Sequence, residues 1–380
     1  MVDVSKLVKK SIKDLTTYVH GGNVWEAAQI SNMPVNQLLD FSISTSPTGA
    51  PKPAVEAIRQ HIDLIHHYPD LDHEWLLETF AKFAGVKTEN IVSCNGSTEL
   101  IYLFAEVFLG KEYDAVIPVP SFSEYKAAIE RAGGNMVFLG CDPKENFRLD
   151  VKELEKAVTS KTRIIFLCNP NSPTGQLYEK DDVLEVIKFA AEKNIMVFLD
   201  EDYIDFVVDG KRYSMAQYVN DYENLFILRT LTKFFGLAGA RIGFGIASPY
   251  VAKILTKAKL PWSVNSLAMF GAAEAVQDEQ FIKKTRLLVS SSKKEMMELF
   301  KEISWLKVYP SETNFLLIEI TTSDLTSTKL REGLLKKGIL IRDCKDFDGL
   351  SDKFFRVTVR RPEENKKLIQ QIKSFKPASD

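Results

Sequence analysis

From residue 90 to residue 246, short apolar runs alternate with polar or amphipathic stretches, and this rhythm restricts the fold more than any other feature. Runs at 90–94, 115–118, 136–139, 163–167, 195–199, 225–228 and 242–246 have the length and composition of buried strands. After the first run, residues 97–109 place Leu100, Leu103, Phe104, Val107 and Phe108 at the period of an amphipathic helix. Residues 181–193 read the same way, as do residues 54–66 after the Pro- and Gly-rich turn at 47–53. Fully apolar strands separated by helices predict an α/β fold with a mainly parallel central sheet covered on both faces.

Beyond about residue 275 the pattern changes to long charged helical stretches at 280–300 and 329–337, with strand candidates at 315–320 and 355–359. A chain of 380 residues can bury a large core and is expected to form two domains. The expected division is an N-terminal arm at 1–45 belonging to the small domain, a large domain at 46–274 and a smaller α+β domain at 275–380. A net charge of −2 offers no basic footprint for nucleic acid. No apolar run reaches the length of about 18 residues that marks a membrane span, and the charged stretch 1–13 lacks a signal-peptide core, so no membrane association is expected. Cys94, Cys141, Cys168 and Cys344 are scattered without a CxxC pair, which predicts reduced thiols in a cytoplasmic protein and no metal centre.

Ligands of open α/β sheets lie beyond the carboxyl ends of the strands. Polar groups follow the apolar runs at those ends: Asn95-Gly96-Ser97-Thr98, Asn169, Asp200 and Thr230-Leu231-Thr232-Lys233. This set suits an aldehyde cofactor such as pyridoxal 5'-phosphate, which needs an amine to bond it, and Lys233 is that amine. Asp200 is the anion for the pyridine nitrogen, Asn169 and Tyr203 are donors to the phenolic oxygen, and Phe122 is a ring to cover one cofactor face. Gly96, Ser97 and Thr98 at a helix start, with Thr230, Thr232 and Arg241, suit the phosphate. Taken singly, each has an ordinary structural reading. Lone lysines are mostly surface charges, Asp200 is a candidate helix cap, and residues 169–175 are all turn formers. Phe122 would be core and Arg241 an ion pair. Their order, each after an apolar run, favours a site.

The chain resembles the fold-type I pyridoxal phosphate enzymes of the class I/II aminotransferase superfamily over nearly its whole length. The resemblance rests on Asn169-Pro170-Asn171-Ser172-Pro173-Thr174-Gly175, Asp200-Glu201-Asp202-Tyr203, Leu231-Thr232-Lys233-Phe234 and Arg241-Ile242-Gly243. It implies the same cofactor roles, with Lys233, Asp200 and Tyr203 catalytic. It also implies that Arg356 grips a substrate carboxylate with help from Asn314. Tyr68, in Tyr68-Pro69-Asp70, is implied to reach the cofactor phosphate of a neighbouring subunit, which makes the protein a homodimer with shared sites.

Within that superfamily the chain is similar to two branches, histidinol-phosphate aminotransferases and L-threonine-O-3-phosphate decarboxylases of cobalamin biosynthesis. His20-Gly21-Gly22-Asn23, Leu39-Asp40-Phe41-Ser42, Pro261-Trp262-Ser263-Val264-Asn265 and Ile339-Leu340-Ile341-Arg342-Asp343-Cys344 favour the second. That resemblance implies decarboxylation of L-threonine O-3-phosphate, or of O-phospho-L-serine, to supply a cobamide nucleotide-loop linker. The substrate-binding set is then His20, Gly22, Asn23, Ser44, Asn314, Arg342 and Arg356. A phosphorylated substrate needs a second basic cluster, for which His20 and Arg342 are candidates with Asn23 as a donor. Arg360 or Arg361, the other basic groups nearby, reads instead as part of a surface ion pair. Transamination of histidinol phosphate is the alternative, and a non-catalytic ligand sensor a second. Sensors of that kind usually carry an added DNA-binding domain, and the intact Lys233 and Asp200 argue against one. Two departures stand out. Ser44-Thr45-Ser46 replaces the asparagines usual in the decarboxylases, and Asp202 stands where relatives commonly have a small apolar residue against the cofactor ring. That carboxyl is turned away, protonated or hydrogen-bonded.

Overall fold

The computed structural model describes residues 2–13, 15 and 20–375. Among the described residues thirteen strands are formed, in chain order β1 Leu39–Asp40, β2 Ile91–Cys94, β3 Asp114–Val119, β4 Asn135–Gly140, β5 Thr162–Cys168, β6 Met196–Asp200, β7 Leu225–Thr230, β8 Gly243–Ala247, β9 Leu306–Val308, β10 Phe315–Ile320, β11 Ile339–Leu340, β12 Arg342–Asp343 and β13 Phe354–Thr358. A seven-stranded sheet has the order β2-β8-β7-β6-β5-β3-β4. The strands from β7 to β4 are parallel. Every residue of β2, β7 and β8 is buried, as a sheet covered by helices requires. Two apolar clusters cover its faces. One contains Leu167, Leu199 and Ile227, and the other Phe166, Phe198 and Phe226. The alternation along each strand thus feeds both layers.

The mainly parallel sheet follows the expectation, with one difference of direction. β8 runs antiparallel to both β2 and β7. The connection from β7 to β8 forms turns rather than a helix, with Gly236 at φ 62°, so the chain returns directly. The helix expected at 54–66 is shorter, Lys52–Gln60, followed by a separate 3-10 turn at Ile62–His66. His61 ends it with φ −104°, and its ring Nδ1 meets the Ala57 carbonyl at 2.8 Å, capping the last turn.

Beyond the large sheet, β12-β13-β10-β9 form an antiparallel four-stranded sheet, and β1 pairs in parallel with β11. The long helix Glu279–Lys301 and the helix Pro362–Lys373 pack on it through Met296, Phe300, Leu368 and Ile372. The N-terminal segment resolves into the helix Val24–Ser31, capped by Asn23, and strand β1. Among the described residues no helix is long and apolar enough to cross a membrane.

Candidate active site

β5, β6 and β7 bring Asn169, Asp200 and Thr230 to one edge of the large sheet, and the antiparallel β8 delivers Arg241 to that same edge. Thr230 and Cys94 both pair with Gly243, so the start of β8 lies between the ends of β7 and β2. Arg241 consequently packs on Gly96, where any Cβ would collide with its guanidinium. Gly96 also has φ 76°, a conformation that favours glycine. The helix Ser97–Phe108 begins there and directs its unpaired first N–H groups at the edge. The Thr230 and Thr232 hydroxyls meet at 2.9 Å beside it. The helix start at Gly96 and Ser97, the Thr230 and Thr232 hydroxyls and the Arg241 guanidinium thus bring together the kinds of donor that a phosphate would need, with Thr98 in the first turn of that helix. Arg241 donates to the Ala238 carbonyl at 3.1 Å and has no carboxylate partner among the described residues.

Asp200 lies beside this cradle. Its carboxylate accepts from the Tyr125 hydroxyl at 2.6 Å and from the Asp202 N–H at 2.8 Å. Burial pushes the Asp200 carboxyl up to about 6, against the pull of these donors and of Lys233. Phe122 meets the Tyr125 ring edge-on at 5.8 Å, so one side chain links the ring-covering candidate to the carboxylate. Lys233 is half-buried, with its amine 6.0 Å from the centre of the Tyr203 ring. The Tyr203 hydroxyl meets the Ser44 hydroxyl at 2.5 Å, and the Ser46 N–H donates to the Lys233 carbonyl at 2.9 Å. The 44–46 loop therefore closes over the lysine. Asn169 is more constrained than its sequence role suggests. Its Oδ1 accepts from the Tyr178 N–H at 2.7 Å and its Nδ2 donates to the Tyr178 carbonyl at 3.3 Å.

Asp202 is buried, and its Oδ2 accepts from the Ser97 hydroxyl at 2.9 Å. It is not turned away from the site. Burial, and then the neighbouring Asp200 charge, push its carboxyl well above the usual range.

A second group of residues comes from the smaller sheet. Arg342 and Arg356 are directly opposite on β12 and β13, and both are buried. Arg356 donates to the Ser172 hydroxyl at 3.1 Å and to the Ser42 carbonyl at 3.3 Å, and lies 4.7 Å over the Phe315 ring. Asn314 donates to the Ser44 and Thr45 carbonyls at 3.1 and 3.2 Å, so it also holds the 44–46 loop. Arg342 lies over the Phe347 ring and joins His20, Gly22, Asn23, Ser42 and Arg331 around a cavity of about 240 Å³. Within that group Asn23 caps the helix Val24–Ser31, as an ordinary turn residue would, and donates to Glu26 at 2.8 Å. Gly22 donates its N–H to the Ser42 hydroxyl at 2.8 Å. His20 pairs with Glu124 at 3.0 Å. Burial alone would push the Glu124 carboxyl up, but hydrogen bonds from His20 and Tyr102 outweigh it and hold the group below its ordinary value. Arg360 pairs with Glu364 at 2.9 Å. Tyr68 is not brought to the site of its own chain. It is 80% exposed and packs on Trp262 with ring centres 4.9 Å apart.

Tyr125 and Phe315 shape the site without having been singled out in the sequence, and Ser172 and Ser42 lie in quoted motifs but had no role of their own there. No local signal marks these contacts, because the partners lie far along the chain. Three buried polar atoms at the site have no partner: Asp202 Oδ1, Asn314 Oδ1 and Arg356 Nε. Together with the glycine-floored cradle, these orphans fit a bound phosphorylated aldehyde and a polar substrate.

The family described as aminotransferase class I and II matches residues 36–372. The putative threonine-phosphate decarboxylase of Caldanaerobacter subterraneus subsp. tengcongensis is 36% identical over 366 residues, covering 96% of each chain. The histidinol-phosphate aminotransferase of Methanococcus aeolicus is 32% identical over 373 residues, covering 98% of this chain and 99% of that one. Among solved structures, the histidinol-phosphate aminotransferase of Clostridium acetobutylicum superimposes with a TM-score of 0.82 at 30% identity, over 89% of this chain and 98% of that one.

Proposed function

This chain belongs to the class I and II aminotransferase family, which depends on pyridoxal 5'-phosphate, and from that premise we propose that it removes CO2 from an O-phosphorylated L-amino acid. L-threonine O-3-phosphate and O-phospho-L-serine are the substrates of that class. The observation that carries the reading is the buried pair Arg342 and Arg356, opposite each other on β12 and β13. Like charges directly opposite on a sheet repel, and burial strengthens the repulsion. Two anionic groups on one small molecule, a carboxylate and a phosphate, relieve it. Arg356, anchored on Ser172 and Ser42 with Nε uncommitted, would take the carboxylate. Arg342 faces the cavity shared with His20, which suits the phosphate. A homodimer with shared sites, which Tyr68 would complete, is part of this reading.

Bound at Lys233, pyridoxal phosphate supplies an electron sink for the pair released from a bond at the substrate's Cα. The protein's share is orientation. Only a bond standing perpendicular to the cofactor ring overlaps its π system, so the contacts that hold the two anions choose the bond to be broken. Asp200 would hold the proton at the ring nitrogen, Tyr203 and Asn169 would serve the phenolic oxygen, and the Lys233 amine would supply the proton that takes the place of the carboxylate at Cα.

The 32% identity to a histidinol-phosphate aminotransferase over almost the whole chain favours a second reading, amino-group transfer from histidinol phosphate. The test is a panel of O-phospho-L-threonine, O-phospho-L-serine and histidinol phosphate, each with and without 2-oxoglutarate, with product identification. CO2 and a phosphorylated amino alcohol from either phosphoamino acid are expected. Glutamate formed from histidinol phosphate, with no CO2 from the others, would establish the second reading instead.

A further inference from the structure

Asp200, Glu201 and Asp202 are consecutive buried carboxyls, but the chain solvates them very unequally. Glu201 pairs with Arg229 at 3.2 Å and accepts from the Ser214 hydroxyl and the Met215 N–H, each at 2.8 Å. Asp200 accepts from the Tyr125 hydroxyl and the Asp202 N–H. Asp202 accepts from the Ser97 hydroxyl alone, and its Oδ1 is buried with no partner. A carboxylate removed from water needs a cation or several donors, and one hydroxyl is insufficient.

The charges that face Asp202 do not make up the difference. Asp200, two residues back, repels it. Arg229, from β7, attracts it but is already committed to Glu201 and to Asp205 at 2.8 Å. Lys233, from the loop after β7, also attracts it, yet that amine is the one the cofactor takes up. The nearby thiols of Cys94 and Cys168 are kept neutral by their own burial. Where two close carboxyls compete, the better-solvated one ionises and the other keeps its proton. Asp200 has the better set of donors, and Asp202 is the one left with the proton.

We propose that Asp202 is held as a neutral carboxylic acid that accepts from Ser97 with one oxygen and offers the other, as an O–H donor, to the bound pyridoxal phosphate. Ser97 opens the helix at the phosphate cradle, so the acid ties that helix to the end of the Asp200 strand. Ionisation of Asp202 removes the donor and adds a negative charge beside a cofactor that already carries a phosphate. One proton of the protein is therefore part of the cofactor site, and cofactor retention weakens as pH rises through its loss. This holds whichever reaction the enzyme performs.

The test compares cofactor-free wild type with Asp202→Asn, whose amide keeps both an acceptor for Ser97 and a donor but has no proton to lose. Pyridoxal phosphate affinity is read from fluorescence quenching between about pH 6.5 and about pH 9.5. The wild-type dissociation constant should rise relative to that of the variant by up to about tenfold per pH unit once Asp202 titrates. Parallel profiles across the range overturn the proposal. An infrared difference spectrum of wild type minus variant at neutral pH gives a second reading that needs no cofactor. A carbonyl band of a protonated carboxyl is expected, and carboxylate bands in its place overturn the proposal. If Asp202→Asn folds poorly, Asp202→Ala replaces it in the subtraction.

Discussion

Asp200 is dehydrated by folding, and the proton balance that follows has a definite sign. Its carboxyl moves from an ordinary 3.8 to about 6 in the folded chain. Below the lower value both folded and unfolded states are protonated, and the group imposes no penalty. As pH rises from 3.8 to about 6 the unfolded chain ionises this group while the folded chain keeps it protonated, so stability falls across that window and is level above it. At neutral pH the cofactor-free protein carries that loss in full. Asp200→Asn keeps acceptance from the Asp202 N–H and turns its amide to the Tyr125 oxygen. Thermal denaturation of the cofactor-free proteins should therefore show the variant melting several degrees higher at pH 7.5 and level with wild type near pH 4, while its turnover collapses. A variant that melts lower at both pH values would show that the wild-type carboxyl carries no such burden. Residues of this kind were legible in the sequence because each ends an apolar run: Asp200, Lys233 and Thr230 are examples. Tyr125, which holds Asp200, was not legible. It lies 75 residues away and reads as one more aromatic on a helix.

Strand pairing explains what single residues leave open. Nothing in the sequence says that Arg342 and Arg356 are neighbours, since fourteen positions separate them and the intervening segment contains no tight hairpin signal. The register of β12 on β13 sets them opposite each other, and burial leaves the Arg342 charge disfavoured first by desolvation and then by Arg356. β8 is a second case. Its apolar run looks like those of its parallel neighbours, yet the direct return from β7 reverses it and so sets Arg241 against Gly96. An anion should relieve the arginine pair. With pyridoxal phosphate already bound, so that its own phosphate cradle is filled, inorganic phosphate should raise the melting temperature of wild type above a chloride control of equal ionic strength. Arg342→Met should erase most of that rise and leave the cofactor absorbance unchanged. An equal rise in both proteins would place the anion elsewhere.

At the scale of the whole molecule, the exposed aromatic pair Tyr68 and Trp262 is what a single chain leaves unexplained. Family members are typically homodimers, and the partner subunit of the proposed dimer would cover this pair. The pair is tied to the core by a directional chain of hydrogen bonds. The Asp70 carbonyl only accepts, so the His73 Nδ1 beside it, at 2.9 Å, carries the proton. His73 Nε2 then accepts from the Ser93 hydroxyl at 2.5 Å, and the Ser93 oxygen accepts from the Lys259 ammonium at 3.0 Å. A proton on Nε2 would turn the Ser93 hydrogen away and deprive that hydroxyl of its acceptor. Burial lowers the His73 pKa from 6.5, with the Lys259 charge acting in the same direction against carbonyl bonds that raise it. A depressed histidine contributes stability that is present above 6.5 and is lost as pH falls through the folded value. Acidification should therefore free the segment carrying Tyr68 before the core unfolds. Sedimentation of wild type should show a dimer at pH 7.5 and growing dissociation as the pH falls below 6.5, with far-ultraviolet circular dichroism unchanged. His73→Gln, which spans the same partners and cannot be protonated, should stay dimeric across that range. Wild type and variant dissociating together on acidification would remove His73 from the account and move the acid-sensitive group to another part of the interface.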